Sequence, residues 1–169
     1  TGKLIIPPGV EIWLSDGASI YSAGVIKAKG TKAEPIVFRG NPESQHKEWG
    51  FISISDVSDT SLFSNVIVED ASRGERPREV AAITAYNSKI KFDSIHFDNI
   101  LANPIPTRFC DVTVLNSSFH SNIIGDMVNV TRGKGYIENC EFVGNYLPDN
   151  DAIDFNGGAN STVKNCVIR

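Results

Sequence analysis

The segments IENCEF (residues 137–142) and VKNCVI (residues 163–168) decide the fold, because they are two copies of one pattern placed 26 residues apart. In both, the first and sixth residues are apolar and the third is Asn. Three earlier segments repeat the pattern with Asn or Ser in third place: FSNVIV from Phe63, FDSIHF from Phe92 and VLNSSF from Val114. A further apolar column lies 9 or 10 residues upstream of the segments, at Ile54, Ile83, Ile105, Val128 and Ile153. Self-similarity at such spacing predicts a solenoid.

The repeat is built of strands rather than helices. Successive copies are 29, 22, 23 and 26 residues apart, and apolar residues alternate within each short segment, which is typical of strands. Such a unit cannot bury its own apolar face, but stacked units can. We therefore predict an all-β, right-handed parallel β-helix of about six to seven coils, with three short strands per coil. The leucine-rich repeat pattern is absent. We expect the Asn column to mark a sharp bend, because Asn tolerates the left-handed conformation.

Length, charge and composition restrict the possible classes of protein. The 169 residues carry a net charge of −4 and are 41% hydrophobic, which suits one globular domain. We predict a single β-helix domain over residues 1–169, with opening coils at 1–60 and regular coils at 61–169. The strand that begins at Cys166 would leave an open edge at Arg169, so we expect a fragment of a longer chain. No long basic run favours nucleic acid, and no apolar run is long enough to span a membrane.

Two stretches resemble known β-helix proteins. Residues 125–169, GDMVNVTRGKGYIENCEFVGNYLPDNDAIDFNGGANSTVKNCVIR, resemble the β-helix repeats of bacterial surface proteins that also carry a CotH-type spore-coat kinase domain. Residues 5–40, IIPPGVEIWLSDGASIYSAGVIKAKGTKAEPIVFRG, resemble the first coils of secreted right-handed β-helix proteins. The resemblance implies the fold and a surface location. It implies no kinase activity, because the chain has no glycine-rich phosphate loop and no kinase motif.

Acidic residues form the main candidate site. Aligning GDMVNV (125–130) with the stretch ending in DAIDFN (151–156) places Asp126 beside Asp151, and Asn129 beside Asp154. Asp126, Asp151 and Asp154 could act as acid and base on a polysaccharide, with Asn129 as a ligand-binding residue. Asp126 and Asp151 could instead hold calcium, the one candidate cofactor. The structural alternative is that these side chains cap turns.

Other polar residues give weaker signals. Arg73, Arg76 and Arg78 lie in RGERPRE (73–79), where they could contact an acidic sugar or form a solvated loop. His96 and His120 flank inward aromatic residues, so we predict that they point outward without meeting one another. The aromatic side chains, Tyr86 among them, could offer faces for sugar stacking. Cys110, Cys140 and Cys166 show no CxxC spacing, and we predict free thiols.

Three functions stay open at this point. The first is a non-catalytic module at the cell surface or outside the cell, serving as a scaffold or as a binding surface for glycan or cell wall. The second is a lyase or glycoside hydrolase acting on acidic polysaccharide, although the motifs of polygalacturonases and pectate lyases are absent. The third is a structural spacer or adhesin segment. Fold alone does not decide among them.

Overall fold

The computed structural model describes residues 2–72, 81–121, 125–144 and 151–169, which form eighteen strands and no helix. The strands are β1 (Lys3–Ile6), β2 (Glu11–Leu14), β3 (Ile20–Ser22), β4 (Val25–Lys29), β5 (Ile36–Gly40), β6 (Ile52–Ser55), β7 (Thr60–Glu69), β8 (Ile83–Tyr86), β9 (Lys89–Ile100), β10 (Ile105–Arg108), β11 (Asp111–Leu115), β12 (Ser118–Ser121), β13 (Val128–Thr131), β14 (Lys134–Glu138), β15 (Glu141–Val143), β16 (Ile153–Asn156), β17 (Thr162–Lys164) and β18 (Val167–Ile168).

The strands stack into three parallel layers around one apolar core. Sheet 1 has the order β3-β6-β8-β10-β13-β16, and sheet 2 has the order β1-β4-β7-β9-β11-β14-β17. Sheet 3 has the order β2-β5-β7-β9-β12-β15-β18, because the long strands β7 and β9 bend and contribute to both sheets 2 and 3. The predicted all-β parallel β-helix is confirmed, with three strands in each of about six turns.

The aligned columns become layers of the core. Phe63 pairs with Phe92, and the column continues through Val114, Ile137 and Val163 as predicted. In the sixth column, Phe97, Phe119 and Phe142 are fully buried. Their rings stack with centroid distances of 5.1 Å and 4.8 Å. Stacked identical side chains therefore fill the interior beneath sheet 3.

One predicted alignment in the upstream column, that of Ile54 with Ile83, was wrong. Ile83 pairs with Ile52 and not with Ile54, which instead lies level with Ala85. Both isoleucines are fully buried, because residues two apart on a strand face the same side. Alternation alone therefore cannot separate the two registers. From Ile105 onward the column runs to Val128 and Ile153 as predicted.

The predicted bend at the Asn column is confirmed. Every member is left-handed, with φ between 49° and 58°: Asn65, Ser94, Asn116, Asn139 and Asn165. Asn139 Nδ2 donates to Asn116 Oδ1 at 3.3 Å, and Asn116 Nδ2 donates to Asp93 Oδ1 at 2.9 Å. These side chains link neighbouring coils at the corner between sheets 2 and 3.

The three cysteines are free thiols, as predicted. Cys140 donates to the backbone oxygen of Glu138 at 3.3 Å. Burial raises the pKa of Cys140 to about 11. The thiol therefore stays protonated at neutral pH and packs as a small apolar group.

Candidate functional site on sheet 1

The outward face of sheet 1 carries short polar and aromatic side chains. Its strand positions, read along two rows of paired residues, are Tyr21, Ser53, Thr84, Pro106, Asn129 and Asp154, then Ser55, Tyr86, Arg108, Thr131 and Asn156. In this set only Arg108 and Asp154 are charged at neutral pH. Sheet 2 differs, since its outward rows include Lys27, Lys29, Lys91, Asp93 and Lys164.

The acidic cluster lies at the last two coils of this face. Asn129 pairs with Asp154 as predicted, and Met127 N–H donates to the Asp151 carbonyl at 2.9 Å, which continues the register to Asp126 and Asp151. Asn129 Nδ2 donates to Asp126 Oδ2 at 2.7 Å and to Asp154 Oδ2 at 2.8 Å. One amide therefore ties two carboxylates from neighbouring coils together.

The cluster perturbs Asp154. Burial raises the pKa of the Asp154 carboxyl, and the negative charges of Asp126 and Asp151 raise it further, while a hydrogen bond from Asn156 opposes the shift. A carboxyl whose pKa is raised by burial and by neighbouring negative charge is a feature that general acids share. Among the described residues, the acids do not form a group of three whose ligand atoms all lie within 4.8 Å of one another. The catalytic and calcium roles stay predictions.

The Asp154 environment gives a pH test. Because the folded pKa is raised above the ordinary value of 3.8, the folded state binds the proton more tightly than the unfolded state does. This contribution to stability is present below the unfolded pKa and is lost as pH rises through the folded pKa. We expect the melting temperature of Asp154→Asn to fall less than that of the parent between pH 4 and pH 7. Parallel melting curves across this range would contradict the prediction.

A second left-handed column lies where sheet 1 turns into sheet 2. Its members have φ values from 45° to 60°: Asp56, Asn87, Phe109, Arg132 and Gly157. Asp, Asn and Gly suit this conformation, but for a bulky residue such as Phe109 it is strained. Phe109 is also 40% exposed. An exposed aromatic ring held in a strained backbone conformation is typical of a functional position.

The Phe109 ring is fixed by its neighbours. Tyr86 meets it edge-on with centroids 5.6 Å apart. The guanidinium groups of Arg108 and Arg132 lie 5.3 Å and 5.9 Å from its centroid. Cation–π and edge-to-face contacts each contribute roughly 0.5–1.5 kcal/mol, so they restrain the ring, and the two guanidinium groups share its faces with any ligand.

An open cleft adjoins this ring. Its volume is about 260 Å³, and it is lined by Asp56, Val57, Ser58, Asn87, Ser88, Lys89, Phe109 and Asp111. Asn87 Nδ2 donates to Asp56 Oδ1 at 2.8 Å. The cleft thus combines an aromatic wall with carboxylate, amide and ammonium groups.

The other residues singled out in the sequence have different outcomes. Tyr86 and Tyr21 lie on one exposed face. Arg73, Arg76 and Arg78 lie outside the described residues. The prediction that His96 and His120 do not meet was wrong, because their rings contact each other with centroids 5.1 Å apart.

Sequence reasoning missed Phe109. Once the structure defines the second left-handed column, an apolar aromatic residue stands out among its other members, Asp56, Asn87, Arg132 and Gly157. The column is hard to align from the sequence, because its residue types share no obvious character.

Comparisons with profiles of known protein families, with curated proteins and with solved structures gave no match. The described residues contain no helix long and apolar enough to cross a membrane. The evidence for function therefore comes from the Phe109 ring, the adjoining cleft and the acidic cluster described above.

Proposed function

We propose that this chain is a non-catalytic β-helix module, located outside the cell or at its surface, whose sheet 1 face binds polysaccharide. The observation that carries the proposal is the exposed, strained ring of Phe109 beside Tyr86 and the open cleft. A sugar ring offers an apolar C–H face and a rim of hydroxyl groups. The aromatic ring matches the first, and short hydroxyl, amide and carboxylate side chains match the second.

The remainder of the face extends the same chemistry. Six strands about 4.8 Å apart give a surface about 24 Å long between β3 and β16. Along it lie Tyr21, Thr84, Thr131 and Asn156. A long surface lined by hydroxyl, amide and aromatic side chains, with carboxylates at its last coils, suits an extended glycan better than a compact metabolite. We include in this proposal the resemblance to the β-helix regions of bacterial surface proteins that carry a CotH-type kinase domain. In such a protein, the module would present the sheet 1 face to glycans outside the cell.

The first test is removal of the ring. We expect the parent protein to bind at least one polysaccharide in a panel of cell-wall and surface glycans, and Phe109→Ala to bind it about 10-fold more weakly. Tyr86→Ala is expected to weaken binding less, because the Phe109 ring against which Tyr86 packs is still present in that variant. Isothermal titration with a soluble fragment of the bound glycan measures both effects.

Two further variants serve as controls for loss of folding and for non-specific binding through exposed aromatic residues. Phe109→Asn places a residue that accepts the left-handed conformation in the column, so it should lose binding while the relief of backbone strain offsets part of the stability lost with the ring contacts. Trp13→Ala removes another exposed aromatic residue, 54% exposed on sheet 3, and should bind as the parent does. No binding across the panel, or equal weakening by Trp13→Ala, would refute the proposal and favour a spacer or adhesin segment.

The acidic cluster supports a second candidate function, hydrolysis or lytic cleavage of acidic polysaccharide. Its support is the raised pKa of Asp154 beside Asp126 and Asp151, which would suit a general acid. Release of new reducing ends or unsaturated products, abolished in Asp154→Asn, would establish it. Binding without turnover would retain the non-catalytic module.

A further inference from the structure

The outward face of sheet 3 brings two histidines and an aspartate together. One ligand atom from each of His96, Asp98 and His120 lies within 4.8 Å of the others. His96 and Asp98 are two residues apart on β9, and His120 comes from β12 on the neighbouring coil. Within the described residues, no other trio of His, Cys, Asp or Glu side chains meets this distance.

A bulge lies beside the trio. Phe97 pairs with Phe119, but the next pair joins Ile100 to Ser121, so Asp98 and Asn99 together lie opposite His120 alone. Asn99 takes the left-handed conformation at φ 49°. His96 pairs with Ser118, so His120 lies beside Asp98 and diagonal to His96, and the two imidazole rings are in contact with centroids 5.1 Å apart.

We propose that His96, Asp98 and His120 form a surface site for a divalent transition metal of the zinc class. Two imidazoles and one carboxylate are a ligand set that such ions favour, whereas calcium prefers oxygen ligands alone. A tetrahedral zinc ion needs ligand atoms about 3.3 Å apart, so small rotations of the exposed Asp98 and His120 side chains would complete the site. Solvent would supply the remaining ligand.

The surroundings of His96 fit this role. Its Nδ1 lies 2.6 Å from Ser118 Oγ, and this contact orients the ring.

The test is titration of the chain with zinc chloride at pH 7.5. All proteins carry Cys166→Ser, because Cys166 is the partly exposed thiol while Cys110 and Cys140 are buried. We expect one zinc ion per chain, and about 100-fold weaker binding in His120→Ala. The matched control is His46→Ala, which removes the histidine that lies outside the cluster, and its affinity should be unchanged.

Circular dichroism checks that each variant keeps the parent fold. Calcium at the same concentration should not displace zinc. The proposal is overturned if the parent binds no zinc, if His120→Ala binds it equally well, if His46→Ala weakens binding as much, or if calcium competes. None of these results depends on whether the sheet 1 face binds polysaccharide.

Discussion

Replacing Phe119 by Ala is expected to lower the free energy of unfolding by about 3–5 kcal/mol. Phe119 is fully buried and lies between Phe97 and Phe142 in the sheet 3 stack. Truncation removes the buried ring and both of its stacking contacts at once. The paired backbones of β9, β12 and β15 limit how far the coils can collapse into the cavity, so most of the loss should remain unrecovered.

Urea denaturation monitored by circular dichroism measures the effect. The matched control is Phe109→Ala, which deletes the same group at a position that is 40% exposed and strained. We expect that variant to lose less stability than Phe119→Ala, because its exposed ring buries less apolar area, although it gives up its contacts with Tyr86, Arg108 and Arg132. A loss below about 1 kcal/mol in Phe119→Ala would mean that the stack is not a source of stability. Because each coil contacts only its neighbours, the transition of Phe119→Ala should also broaden as the coils uncouple.

The core of this fold is predictable from the sequence because a stacked architecture repeats its packing. Phe63, Phe92 and Ile137 align by residue type and spacing alone, since each coil must place an apolar side chain above the last. The Asn column is readable for a similar reason: its left-handed bend restricts residue type. The limit of this reasoning appears at Ile52 and Ile54, where two inward residues satisfy the same alternation.

The sites were harder to predict because they depend on departures from the repeat. His96 and His120 are not paired residues but diagonal neighbours on adjacent strands, so their contact depends on side-chain placement rather than on the column alignment. Phe109 lies in a turn whose conformation normally selects Asn or Gly. The pairing of Asn129 with Asp154 was predictable because it follows the register. The pKa shift of Asp154 was not, because burial depends on side-chain placement.

Replacing Gly133 by Ala is expected to destabilise the protein by about 1–3 kcal/mol. A Cβ atom at Gly133 would lie 2.2 Å from the backbone oxygen of Cys110 on the preceding coil. That oxygen cannot easily move away, since it accepts a hydrogen bond from Lys134 N–H at 2.9 Å. The coils must therefore separate locally, which weakens the pairing of β11 with β14.

The control for Gly133→Ala is Gly157→Ala, where the difficulty is conformation rather than space. Gly157 has φ 60°, and its nearest contact with an added Cβ is Arg132 Cγ at 4.0 Å, so we expect a loss of about 1 kcal/mol. Urea denaturation compares the two, and hydrogen exchange should show increased opening of β14 in Gly133→Ala. Equal losses in both variants would mean that the close approach at Cys110 is relieved without separating the coils. A larger loss at Gly133 would establish that tight backbone contact, and not apolar packing alone, sets the spacing of the last coils.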